Sequence, residues 1–135
     1  MTKLTAAAIF IALAATAGAA GAQSLVSAEA PVTNPVASID LGKEFPAMKG
    51  YNLQQTWNVI APNTGRKAHS HKDQPEIVRI ISGVLTDQRV GGQPVKYGPG
   101  SNIVNDGTTV HMWANFGTEP VVMVNTSIKP APPAK

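Results

Sequence analysis

From residue 51 onward the apolar positions recur at every second residue in short runs, and the runs are separated by Gly, Pro and Asn. No stretch there has the 3.6-residue apolar period of a helix, so the pattern predicts short strands punctuated by turns. Residues 53–60, LQQTWNVI, form the first. Their alternation predicts Leu53, Gln55, Trp57 and Val59 on the inward face and Gln54, Thr56 and Asn58 on the other. Residues 62–65 make a turn. Residues 76–82, EIVRIIS, are β-branched and apolar enough for a core strand, which Gly83 ends. Residues 84–90 and 93–97 flank Gly91-Gly92, a pair that favours a tight hairpin because both positions can take positive φ. After the turn at 98–100, runs at 101–104, 109–115 and 120–128 complete an all-β set.

The ends of the chain follow another pattern. Lys3, the apolar run at 6–17 and Ala20-Gly21-Ala22 read as the three regions of a secretory signal peptide, with cleavage expected after Ala22. The apolar run is short of the ~20 residues that span a bilayer, so no stable membrane insertion is expected after cleavage. A periplasmic or secreted protein follows. Residues 23–50 are rich in Ala, Pro and Ser without a sustained period and read as an N-terminal arm, in which 38–41 could add a strand. The barrel is expected over 51–128, and 129–135 is a proline-rich tail. Removing 22 of 135 residues leaves 113, enough for one domain. The formal charge falls from +3 to +2 with the loss of Lys3, too little to imply nucleic acid or a membrane surface as partner.

All three histidines lie in two segments, 65–83 (GRKAHSHKDQPEIVRIISG) and 105–115 (NDGTTVHMWAN). Strand periodicity projects His69 and His71 to the same side. The loop 72–75 turns the chain, and Glu76 heads the next strand, where an inward carboxylate is costly without a cation or a donor. His111 lies on a distant strand. Three imidazoles and one carboxylate converging inside a closed sheet suit a divalent transition metal such as Mn, Fe, Ni, Cu or Zn.

The spacing H-x-H-x4-E-x6-G followed by H-x3-N resembles the two motifs of the cupin superfamily. His69, His71, Glu76 and Gly83 match the first, and Gly107, His111 and Asn115 match the second. Two departures lie in turns: Gly65 is closer to the histidine pair than the usual opening glycine, and Asn105 stands where a proline is usual. The resemblance implies a single antiparallel β-barrel of jelly-roll type, with His69, His71, Glu76 and His111 as metal ligands. It also implies a homodimer.

Trp57, Trp113 and Gln55 share the expected inward parity with the ligands and are candidates to line a pocket, although aromatic side chains in a small barrel also serve as plain core. Asn115 reads as a turn former. Arg66, Lys67, Lys72 and Arg79 surround the first motif and read as a solvated rim, Arg79 with parity opposite to Glu76. No cysteine nucleophile, G-x-S-x-G or phosphate-binding glycine loop is present, so any catalysis falls to the metal. Two readings stay open. One is an exported metal-dependent oxidoreductase, dioxygenase- or oxidase-like, acting on a small organic substrate; the other is a non-catalytic cupin that holds a metal or small ligand as a sensor or carrier.

Overall fold

The structure, a computed structural model, describes residues 32–132. Nine strands form it: β1 (Val32–Asp40), β2 (Tyr51–Ile60), β3 (Thr64–Ser70), β4 (Glu76–Ser82), β5 (Leu85–Arg89), β6 (Val95–Tyr97), β7 (Asn102–Asn105), β8 (Val110–Asn115) and β9 (Val121–Pro130). They make a five-stranded sheet in the order β1-β2-β9-β4-β7 and a four-stranded sheet in the order β3-β8-β5-β6. Every pairing is antiparallel. This is the expected all-β jelly-roll architecture.

Between the sheets the interior changes character along the strands. At one end, Ile60, Val78, Ile80, Leu85, Ile103, Trp113, Val121 and Met123 form an apolar core that joins both sheets. The other end is polar. Glu76 pairs across β4 with Asn105 and Ser127, and two residues further on Val78 pairs with Ile103 and Asn125. The polar end of the barrel is thus built from strand positions that share a face with the core.

The first strand runs further than its sequence suggests. β1 begins at Val32 inside the expected arm and pairs with β2 along its length, so the sheet starts well before residue 51. Pro35 hid it, but proline is tolerated on an edge strand or at a bulge. β1 is an edge strand, with its irregularity between Pro35 and Ala37. A short helix, α1 (Leu41–Glu44), follows; Asp40 caps it by accepting from Gly42 N at 2.9 Å. The expected signal peptide lies outside the described residues.

The facing of β2 is the reverse of the sequence expectation. Thr56, Asn58 and Ile60 are buried, whereas Gln55 and Trp57 are exposed on the outer face. Alternation identifies two faces but labels the more apolar one as inner, and at β2 that label fails. The inner face there belongs to the polar end, where Asn58 donates to Thr56 Oγ1 (3.2 Å) and to Asn125 Oδ1 (2.9 Å). The outer face of the large sheet is also apolar, with Ile39, Tyr51, Trp57, Ile77, Ile81 and Val104 exposed on it.

Turns supply the remaining constraints. The β5–β6 connection is longer than a two-residue hairpin, because pairing stops at Asp87 opposite Val95. Pro94 has no N–H to extend the ladder. Gly83 has φ +76°, and a Cβ there would meet Pro120 O at 2.6 Å. Only glycine fits without strain. Asn115 is fully buried and pins the last turn: its Nδ2 donates to Ile60 O and Glu119 O, and its Oδ1 accepts from Gly117 N.

Candidate metal centre

The three histidines meet at the polar end. His69 pairs with His111 across β3 and β8, just past a β-bulge that begins after Arg66. His71 follows β3 and continues the ladder by donating its N–H to Thr109 O at 2.9 Å. A turn then closes from Gln74 N to His71 O (2.9 Å), with Asp73 at φ 60°. Aspartate tolerates that left-handed conformation better than most side chains. The turn carries the chain into β4 and places Glu76 beside His71.

The ring nitrogens divide into two sets. Each Nδ1 faces an oxygen that can only accept: Lys67 O for His69 (3.0 Å), Gln74 O for His71 (3.1 Å) and Asp87 Oδ1 for His111 (2.6 Å). Each Nδ1 therefore carries the hydrogen, and each Nε2 of a neutral ring is a bare lone pair. These three lone pairs converge. His111 Nε2 is 2.9 Å from His71 Nε2 and 3.2 Å from His69 Nε2, and the three ligand atoms lie within 4.8 Å of one another. Such an arrangement repels unless a cation occupies its centre. Two nitrogens about 2.1 Å from one ion and about 90° apart would be about 3 Å apart, which matches the separations of His111 Nε2 from each of the other two.

Electrostatics keep one of the rings ready. Burial pushes the His69 imidazole below its ordinary value, opposed by its bond to the Lys67 carbonyl and reinforced by Arg66 and the other two rings. His69 is thus held neutral, the form that ligates. Asp87, 2% exposed, orients His111 and would raise its basicity toward a metal. Its other oxygen lies 3.7 Å from the Nε of Arg89, which stands at the surface.

Glu76 has a different set of contacts. Its Oε1 accepts from Asn105 Nδ2 and its Oε2 from Asn125 Nδ2, both at 3.1 Å, and Oε1 lies 3.6 Å from His71 Nε2. Two amide donors fix the orientation of the group, one on each oxygen. Asn58, bonded to Asn125, extends this chain across β2. Trp113, 1% exposed, sets its ring edge-on to His111 and His69 at centroid distances of 5.0 and 5.7 Å. Gln55 and Trp57 lie on the opposite side of the sheet and line no part of this site. Arg66, Lys67, Lys72 and Arg79 are all exposed, and Arg79 donates outward to Asn102 at 3.3 Å.

Sequence reasoning missed Asp87, Asn58, Asn105 and Asn125. A signal existed for two of them. Met123, Asn125 and Ser127 alternate along one strand, as do Ile103 and Asn105, so core parity predicts inward amides. Three buried side-chain atoms have no partner among the described residues: Asn105 Oδ1, Ser127 Oγ and Trp113 Nε1. Each such group costs roughly 1–3 kcal/mol if left unsatisfied.

Comparison with known proteins agrees with this architecture. A family profile described as the cupin domain matches residues 57–127, more than half of the chain. The chain belongs to the cupin family. It is similar in fold to an uncharacterized conserved Klebsiella pneumoniae protein with a double-stranded β-helix domain, at a TM-score of 0.60 and 17% identity over 80% of this chain and 90% of that one. A cupin domain from Bordetella pertussis gives 0.56 and 15% over 77% and 98%. A putative sugar phosphate isomerase from Acidithiobacillus ferrooxidans gives 0.54 and 19% over 73% and 59%. Identities this low show the fold alone. No functionally curated protein matches the sequence.

Proposed function

We propose that this cupin is an exported metalloprotein whose divalent transition ion is held by His69, His71 and His111 with Glu76 as fourth ligand. We propose further that it acts as an oxidoreductase on a small organic substrate. The observation that carries the metal reading is the convergence of three Nε2 lone pairs whose Nδ1 atoms are all committed to acceptors. A redox-active ion there would supply electron transfer between substrate and dioxygen. The chain's own residues would do the rest. Asp87 orients His111, Asn105 and Asn125 orient Glu76, and Trp113 with the apolar core excludes bulk water.

One observation favours the non-catalytic alternative. Glu76 accepts through both oxygens and Asp87 Oδ1 is bonded to His111, so both buried carboxylates among the described residues are already engaged rather than poised as a general base. An isomerase acting on a phosphorylated sugar is less favoured, because the buried residues described include no Lys or Arg to receive a phosphate. Oxygen uptake by Fe-, Mn- or Cu-loaded protein, screened with small phenols, diols and acids, separates the readings. Uptake that vanishes in His71→Ala supports the enzyme. No uptake by fully loaded protein leaves the sensor or carrier. Export is tested by the mature N-terminus, expected at Gln23.

We also propose that a second copy covers the outer face of the five-stranded sheet. Of the charged residues described, only Arg79 lies centrally on it. Its strands of 9, 10, 10, 7 and 4 residues, at about 3.4 Å per residue and about 4.8 Å apart, offer about 650 Å². That is one partner's share of a standard interface. Sheet faces pack on one another readily, and a self-complementary face closes as a two-fold dimer.

A further inference from the structure

Two side chains of different chemistry stand at equal distances from the middle of the large sheet. β9 is the third of its five strands, with β2 on one side and β4 on the other. Register sets Val124 of β9 opposite both Trp57 of β2 and Arg79 of β4, so the three form one row across the outer face. Trp57 and Arg79 are exposed, and Val124 between them is half-buried. Their backbones lie about 5 Å to either side of β9.

Arg79 is the residue that a covered face must accommodate. Ile77 and Ile81 are exposed on either side of it along β4, and none of the described carboxylates pairs with it. Its guanidinium donates to Asn102 Oδ1 at 3.3 Å, on the side away from β9. Covering this face buries a cation, which is costly unless the covering surface brings a partner. An indole is such a partner, since its face attracts a guanidinium better than other aromatic rings do.

Symmetry decides whether a second copy supplies one. A two-fold axis along β9 lays β2 of each copy over β4 of the other, and Trp57 then meets Arg79 twice. An axis across β9 at Val124 lays Arg79 over Arg79, so that cation meets cation. Sheets packed face to face stand about 10 Å apart, a gap that an indole and a guanidinium fill together. The usual angle of about 30° between such sheets displaces each pair by about 2–3 Å, within the reach of both side chains.

We propose that the second copy docks about a two-fold axis along β9, with each Trp57 stacked on Arg79 of the other copy. This rests on the dimer reading above and adds the axis and the contact that specify the partner.

Sedimentation velocity over a concentration series tests it with opposite charges placed at residue 57. Trp57→Lys sets a cation against Arg79 of the other copy, and its dimer dissociation constant is expected to rise more than about 100-fold, the effect of juxtaposed like charges. Trp57→Glu sets a carboxylate there and is expected to stay within about tenfold of wild type. Adding Arg79→Glu to Trp57→Lys restores opposite charges and is expected to recover the dimer. Circular dichroism of each variant checks that the strands are retained. Equal weakening in Trp57→Lys and Trp57→Glu, or weakening in neither, overturns the pairing while the wild-type dimer stands. A wild-type monomer overturns the dimer reading and the pairing with it.

Discussion

His111 Nδ1 lies 2.6 Å from Asp87 Oδ1, and both side chains are almost completely removed from solvent. The pair bridges two adjacent strands, β8 and β5, and fixes the tautomer that turns Nε2 toward His69 and His71.

Removing that carboxylate is expected to weaken metal binding about 10–100-fold. Asp87→Ala should show this in a competitive chelator titration. Asp87→Asn should lose less, because its amide oxygen still accepts from Nδ1. Equal affinity in wild type and Asp87→Ala would show that the pair does not serve the metal.

Stability of the metal-free protein should depend on pH through His69. Its imidazole is depressed in the folded state, so the unfolded chain binds the proton more readily. Stability is then highest above the unfolded value of about 6.5 and declines as the pH falls through it toward the folded value. Urea denaturation of apoprotein across this range should show the decline. His69→Gln should flatten it.

The two motif glycines should behave differently. Gly83→Ala forces a side chain into positive φ and against Pro120 O, and should cost at least about 1–3 kcal/mol. A Cβ on Gly107 would meet nothing within 4 Å, so Gly107→Ala should stay within about 0.5 kcal/mol of wild type. Chemical denaturation compares them directly. Equal losses would contradict the geometry.

Association through the large sheet predicts a dimer in sedimentation velocity. Ile77→Lys, a charge added to the centre of the exposed apolar face, should give a monomer with its metal content unchanged. A wild-type monomer would rule the interface out.

The sequence made the histidines legible because strand parity is a local rule. His69 and His71 are two residues apart and point together wherever a strand forms, and the apolar run after Glu76 marks a core strand. What escaped was non-local. Apolar character points Trp57 inward, yet this barrel is polar inside at β2 and apolar outside. Pro35 concealed β1, since only the pairing partner reveals that the strand is an edge. Asp87 could not be matched to His111 because their register depends on how β5 meets β8. The amides that hold Glu76 come from β7 and β9, which sequence distance alone does not bring together.

The most direct test of the metal centre is elemental analysis of the protein purified without chelators, set beside His71→Ala and His111→Ala. One equivalent of a divalent transition metal per chain, lost in both variants, is the result the three converging lone pairs predict. Wild-type protein that takes up no metal on reconstitution, or variants that keep a full equivalent at wild-type affinity, would contradict it.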